Sequence, residues 1–137
     1  MSLFNIFNIA GSAMSAQSVR LNVTASNLAN ADSTGSSVGT TYRAREPVFA
    51  AVFNSLQPND PTASVKVRGI VQSQAPLQKR YEPGNPTANK QGYVYMPNVN
   101  VVDEMANMIS ASRSYQNNAD VLNTSKTLLL NTLRMGQ

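Results

Sequence analysis

The 137-residue sequence contains no histidine, no cysteine and no tryptophan. Without histidine it has no imidazole to move protons near neutral pH or to ligate a metal. Without cysteine it has no thiolate nucleophile, no disulfide framework and no sulfur-based metal site, a composition that also suits passage through an oxidising compartment. Charge is scarce as well: Lys, Arg, Asp and Glu make up 13% of the chain, against about 25% in an ordinary soluble domain. No stretch approaches the ~20 consecutive apolar residues of a membrane-spanning helix. The opening run from Met1 to Gly11 is apolar, but Asn5 and Asn8 interrupt it and the first positive charge is Arg20. It therefore does not read as a cleaved secretory signal. The chain is expected either to stay in the cytoplasm or to leave by a route that removes nothing.

What remains supports no catalytic set. The carboxylates are scattered, and the adjacent pair Asp103 and Glu104 is accounted for by the start of a helix. A serine nucleophile would need a lysine as its base, and no spacing places one. No Gly-rich phosphate loop is present. No enzymatic activity, cofactor or metal is expected. The net charge of +4 comes mostly from the middle, where Arg43, Arg45, Lys66, Arg68, Lys79, Arg80 and Lys90 outnumber Glu46, Asp60 and Glu82. These cations are spread as pairs over strand-like stretches without interleaved stacking partners, the pattern of a solvated or interfacial face and not of nucleic-acid binding. A neutral surface rich in Asn, Ser, Thr and Gln does little to resist close packing, which favours a component of an assembly.

The informative signal lies at the two ends. Leu3, Phe7, Ala10, Met14, Leu21 and Leu28 recur at alternating steps of three and four, with Gln17 and Thr24 as polar members, predicting a helix over about 3–30 that is roughly 40 Å long. Gly11, Ser12, Ala13, Ser15 and Ala16 would let a second helix approach closely. Asn27 to Gly35 supplies the stop, because Asn and Asp side chains compete for local backbone and Gly accepts positive φ. From Asn100 a second helix begins, capped by Asn100 and with Asp103 and Glu104 in its first turn. Val101, Met105, Met108, Ser112, Tyr115, Ala119, Leu122, Lys126, Leu129 and Leu133 form its heptad series, and Arg134 and Gly136 mark its end. Between the helices, Tyr42–Phe49 with Val52–Phe53, Val65–Val71 and Tyr93–Met96 have strand character, separated by turns at Pro58–Pro61 and Tyr81–Pro86.

The predicted fold is α+β: long N- and C-terminal helices pairing as an antiparallel coiled coil, with a small inserted β-rich unit. Its parts are 1–35, 36–97 and 98–137. Two helices leave each other's flanks wet, so the pair is expected to be stable only when helices of other subunits cover it.

Ser26-Asn27-Leu28-Ala29-Asn30-Ala31-Asp32-Ser33-Thr34-Gly35 resembles the N-terminal signature of flagellar rod, hook and related axial proteins, whose pattern is Asn-Leu-Ala-Asn followed by a short polar step to Thr-Gly. Residues 100–137, with Glu104-Met105 and Ser112-Arg113-Ser114-Tyr115-Gln116, are similar to the matching C-terminal region. Asn5-Ile6-Phe7 with Ile9–Ala13, Tyr81–Pro86, Gly92–Val94 and Met96–Val99 narrow the likeness to the proximal rod type of the basal-body rod family. The departure is Ser36 after Gly35, where many relatives carry an aromatic; here Tyr42-Arg43-Ala44 arrives later, as in the proximal rod type. The likeness covers nearly the whole chain and is weakest over 50–64. It implies a structural subunit exported uncleaved by the flagellar type III apparatus into the periplasmic rod. It further implies partners among copies of itself, other rod proteins and basal-body ring or adaptor proteins, and a torque-transmitting role. The helix-interface candidates are Leu3, Phe7, Ala10, Met14, Leu21, Leu28, Val101, Met105, Met108, Tyr115, Ala119, Leu122, Leu129 and Leu133. The signature residues are Asn27, Leu28, Ala29, Asn30, Thr34 and Gly35. The alternatives by residue pattern are another type III-exported axial or hook-associated component, or a monomeric binding module using the basic β face.

Overall fold

The computed structural model of the chain describes residues 3–53 and 62–135 and, in the first helix, side chains from Asn5 onward. Helix α1 spans Leu3–Ala29 and helix α2 spans Val101–Met135, with four strands between them. The two helices pack along each other. Arg20 donates to Asn107 at 3.0 Å and Asn27 donates to Glu104 at 2.9 Å, so contacts advance along α1 while they retreat along α2. The pair is antiparallel.

α1 is covered on most sides. Asn8, Gly11, Ser15, Ser18, Asn22, Ala25 and Ala29 are its exposed residues, in one stripe at alternating steps of three and four. The remaining faces meet α2 on one side and a β ribbon on another. Among the α1 candidates, Ala10 is buried, whereas Phe7, Met14, Leu21 and Leu28 are half-buried. The side chain of Leu3 lies outside the described residues. Gln17 takes a polar place in the series, and its buried Oε1 has no hydrogen-bond partner.

α2 presents a different seam from its most apolar one. Its buried residues are Ala111 and Ser125. With Glu104, Met108, Asn118, Leu122 and Leu129, all half-buried, they define an inward stripe that passes Tyr115. That stripe is rotated by roughly 50° from the expected heptad. It keeps Met108, Leu122 and Leu129, all half-buried, while Tyr115 on its line is 38% exposed and Ala119 is half-buried at its side. Val101, Met105 and Leu133 are instead 43%, 53% and 61% exposed. Small side chains permit close approach of the helix axes, and the polar members have partners: Glu104 accepts from Asn27, and Asn118 donates to the Ser114 carbonyl. Pairing across the joint and close fit thus outweigh apolarity in choosing the face.

Strands β1, Arg45–Phe53, and β2, Ala63–Gln72, form an antiparallel ribbon that lies on α1. Val48 pairs with Gly69 and Phe49 with Val67, leaving Arg68 as the extra residue of a bulge. The Ser12 hydroxyl accepts from the Val65 N–H at 3.1 Å, tying the ribbon to the helix. Strands β3, Gln78–Tyr81, and β4, Tyr93–Met96, form a second antiparallel ribbon. The inserted region is therefore two separate ribbons and not one sheet. β3 carries no alternation of apolar residues, all four of its positions being exposed, so nothing in its pattern marks it as a strand. The turn expected at Pro58–Pro61 and the helix stop at Gly136 lie outside the described residues.

The core is thin. Its buried hydrophobic residues are Ala10, Ala16, Val23, Ala31, Ala44, Val94 and Ala111, and the largest fully buried side chains are Val94 and Asn27. Large apolar side chains sit outside, among them Phe53, Val102, Met105, Ile109, Leu128, Leu130 and Leu133. This is the reverse of the usual distribution in an independent domain.

Candidate assembly interface and its joint

Asn27, 1% exposed, is the junction of the chain. Its amide nitrogen donates to the Arg45 carbonyl at 2.8 Å and to Glu104 Oε1 at 2.9 Å. Its Oδ1 accepts from the Arg45 N–H and from the Tyr42 hydroxyl, each at 2.9 Å. Two donors and two acceptor sites are all used, as burial of an amide demands. The side chain pairs with Arg45 as a neighbouring strand would, and it holds the end of α1, the start of β1 and the start of α2 at one point. Tyr42 is held in turn by Ser26 at 3.2 Å and by the Arg45 guanidinium, 5.4 Å from its ring centre.

The other signature residues shape the exit from α1. Asn30 donates to the Ser26 carbonyl at 2.8 Å, and the same carbonyl accepts the Asn30 backbone N–H at 3.2 Å, so the last turn of the helix is closed twice by one residue. Leu28 is half-buried on the seam side and Ala29 is exposed. Thr34 bonds Thr87 at 2.7 Å, linking the signature to the second ribbon's turn. Gly35 exchanges two backbone hydrogen bonds with Tyr95, at 3.0 and 2.9 Å. A Cβ at Gly35 would run into Thr41, whose hydroxyl lies closest and whose backbone N and Cα stand at 3.1 Å. Glycine is required there by the close approach of backbone, without any unusual φ.

Residues not singled out as site residues complete the joint: Glu104, Tyr42, Arg45, Asn98, Arg20 and Asn107. Asn98 accepts from the Ala44 N–H at 2.8 Å and donates to the Ala75 carbonyl at 2.9 Å, clipping the stretch before α2 to the start of β1. Arg43 donates to the Ser73 and Ala75 carbonyls. Asn100 caps α2 through the Val102 N–H at 3.1 Å and donates to Asp103 at 2.6 Å. The sequence signal for these contacts is their place within the quoted motifs, whereas distance along the chain hides their partnership.

The turn before β4 is similarly fixed. Gly92 has φ of +78° and a Cβ there would meet Tyr81 at 2.8 Å, so glycine is needed both for the left-handed backbone and for space. Asn85 donates to Glu82 at 3.0 Å, and this bond, with Arg80 beside it, holds the Glu82 carboxyl below its usual range against the opposing effect of desolvation. Lys79 lies 4.0 Å from the ring centre of Tyr93. Part of the basic character of the middle is thus spent inside the chain, while Lys66 and Arg68 occupy exposed positions of β2 and Lys90 is exposed as well.

An open hollow of about 570 Å³ between the signature turn and β2 is lined by Thr34, Tyr42, Arg43, Arg45 and Gln72, and holds no pairing of nucleophile and base. Among the described residues there is no group of three or more His, Cys, Asp or Glu placed to hold a metal. No helix among them is long and apolar enough to cross a membrane.

A polar joint fastening two long helices, with large apolar side chains turned outward, defines a subunit of a larger assembly. Residues 7–35 match the family described as Flagella basal body rod protein, and residues 90–135 match the one described as Flagellar basal body rod FlgEFG protein C-terminal. The chain is similar to the flagellar basal-body rod protein FlgC of Salmonella typhimurium, 57% identical over the whole of both chains. The same identity and coverage relate it to that of Escherichia coli O6:H1. It is 47% identical to that of Buchnera aphidicola subsp. Acyrthosiphon pisum, again over both whole chains. The chain belongs to the FlgC family of flagellar basal-body rod proteins. It is a structural subunit of the rod and not an enzyme.

Proposed function

We propose that the two terminal helices act as one coiled-coil pair that is completed only by neighbours, copies of this chain and other rod proteins, so that torque passes through helix–helix contacts. The observation that carries this reading is the inverted packing: alanines, two valines and an asparagine are inside, while many Leu, Ile, Met and Phe side chains stay outside. Exposed apolar surface on this scale belongs to interfaces. Val101, Met105 and Leu133, outside the intrachain seam, then join the contacts between subunits, while Ala10, Met14, Leu21, Leu28, Met108, Leu122 and Leu129 serve the pair itself. The two β ribbons form the outer layer, within reach of ring or adaptor proteins. Export through the flagellar type III apparatus without removal of a signal, and residence in the periplasmic part of the rod at its proximal end, complete the reading. The matches at both termini support it.

Leu21→Asp and Leu129→Asp each place a carboxylate on the seam. Both variants are expected to be exported but not incorporated, leaving cells non-motile with the protein outside the basal body. Motile cells with either variant built into the rod would refute the helix-pair assignment.

A further inference from the structure

We propose that the hollow between the signature turn and β2 is a carboxylate-binding site that takes an acidic peptide segment of another protein. It uses none of the seam residues and so goes beyond the helix-pair reading.

Two arginines put positive charge there. Arg43, Ala44 and Arg45 alternate on entry to β1: Ala44 turns inward, 6% exposed, and both arginines line the hollow. Arg43 is anchored. Its Nη1 donates to the carbonyls of Ser73 and Ala75 at 3.0 and 3.2 Å, leaving Nε and Nη2 uncommitted. Arg45 rests over the Tyr42 ring, and its guanidinium donates no hydrogen bond. Among the described residues the one ion pair joins Arg80 to Glu82, so neither arginine has a counter-ion within them.

The fold passes over the nearest chances to supply one. Gln72 is the cross-strand partner of Arg45, the position from which a carboxylate would neutralise it, and it is an amide. Glu46 borders a second hollow, onto which Arg45 also opens, without pairing with it. Glu82 is engaged by Arg80 and Asn85, Asp103 by Asn100, and Glu104 by Asn27. With a net charge of +4, a second copy is a poor source of the missing anion. An acidic partner is the complementary one.

The donors left open select a carboxylate. Hydroxyl protons around the hollow are engaged inside the chain: Thr40 and Thr41 donate to the Ser37 carbonyl, Ser33 to that of Asn30, and Tyr42 to Asn27. Free donors remain on the two guanidinia and the Gln72 amide. An acceptor without a proton of its own fits that set, and the planar fork of arginine meets a carboxylate with two parallel bonds. A sugar brings donors as well as acceptors, and the lining holds no carboxylate to receive them. A doubly charged phosphate is disfavoured by the C-terminal end of α1 beside Asn30, the negative pole of the helix dipole. At about 570 Å³ the hollow has room for the peptide that carries the carboxylate.

The purified full chain, isotope-labelled in its arginines, is titrated at low salt with an acetylated, amidated tetraglutamate peptide. The Nε–Hε signals of Arg43 and Arg45 are expected to shift to saturation, and added salt to reverse the shift. The tetraglutamine peptide should move neither signal. Gln72→Glu, which puts a carboxylate opposite Arg45, should weaken binding about tenfold or more, the loss of a charge-assisted pair. Lys66→Gln makes the same change in net charge elsewhere on β2 and should leave the affinity as it was. Unmoved arginine signals, equal weakening by Lys66→Gln, or equal binding of inorganic phosphate would overturn the assignment. In isolated basal bodies, Arg45→Lys supplies an amine that carbodiimide couples to a carboxylate in contact with it. The expected product joins position 45 to an Asp or Glu of another protein, located by mass spectrometry. Coupling of position 45 to another copy of this chain, or to nothing while Lys66 and Lys90 react, would overturn the site as well.

Discussion

Asn27 shows how one amide does work that no apolar residue can take over. Four hydrogen bonds converge on a side chain that is almost wholly buried, and its three partner residues, Tyr42, Arg45 and Glu104, come from two distant parts of the chain. Asn27→Ala leaves the Arg45 N–H and carbonyl and the Tyr42 hydroxyl without it, at about 1–3 kcal/mol for each group that stays dry. The expected outcome is a large fall in melting temperature of the purified chain, with loss of rod assembly; calorimetry checks the first and motility the second. Asn85 makes a smaller claim, confined to charge. Glu82 is held ionised at lower pH than an ordinary glutamate, first by Asn85 and then by Arg80. Any stability it contributes is present above the ordinary carboxylate value and is lost as pH falls through the lowered one. Asn85→Ala should move the Glu82 titration upward toward its ordinary value in a carbon-detected NMR pH series, and an unmoved curve would leave Arg80 as its sole support.

At the scale of elements, the helices were legible and their facing was only partly so. α1 announces itself by period and by its Asn-rich stop, α2 by period, cap and acidic first turn, and the structure has them at Leu3–Ala29 and Val101–Met135. The α2 face was obscured because the seam uses Ala111, Ser125, Asn118 and Glu104 where a ranking by hydrophobicity selects Met105, Ala119 and Leu133. A close approach of helix axes and a hydrogen bond across the joint leave no trace in hydropathy. Ala111→Leu tests this: overpacking a residue with no exposed area costs about 1–3 kcal/mol. The variant should unfold at lower denaturant concentration, whereas Ala106→Leu, on an exposed position of the same helix, should not. β3 was invisible because its four residues are all exposed and polar or amphipathic. β4 was legible, and its Val94 is fully buried. The contacts of Asn27 with Glu104, and of Asn98 with Ala44, join motifs that the family likeness names separately, and only the fold brings them together.

For the whole molecule, the thin core and the apolar exterior describe one interface interrupted by solvent. Its inside is held by polar joints, which set the geometry, and its outside carries the area that association can bury. Hydrogen exchange, compared between the purified full chain and isolated basal bodies, measures this directly. In the purified chain, amides over residues 126–135 should exchange far faster than those over 104–125, and in basal bodies the two stretches should be protected alike. Equal, strong protection of both stretches in the purified chain would contradict the account, because the helix pair would then be complete without its neighbours.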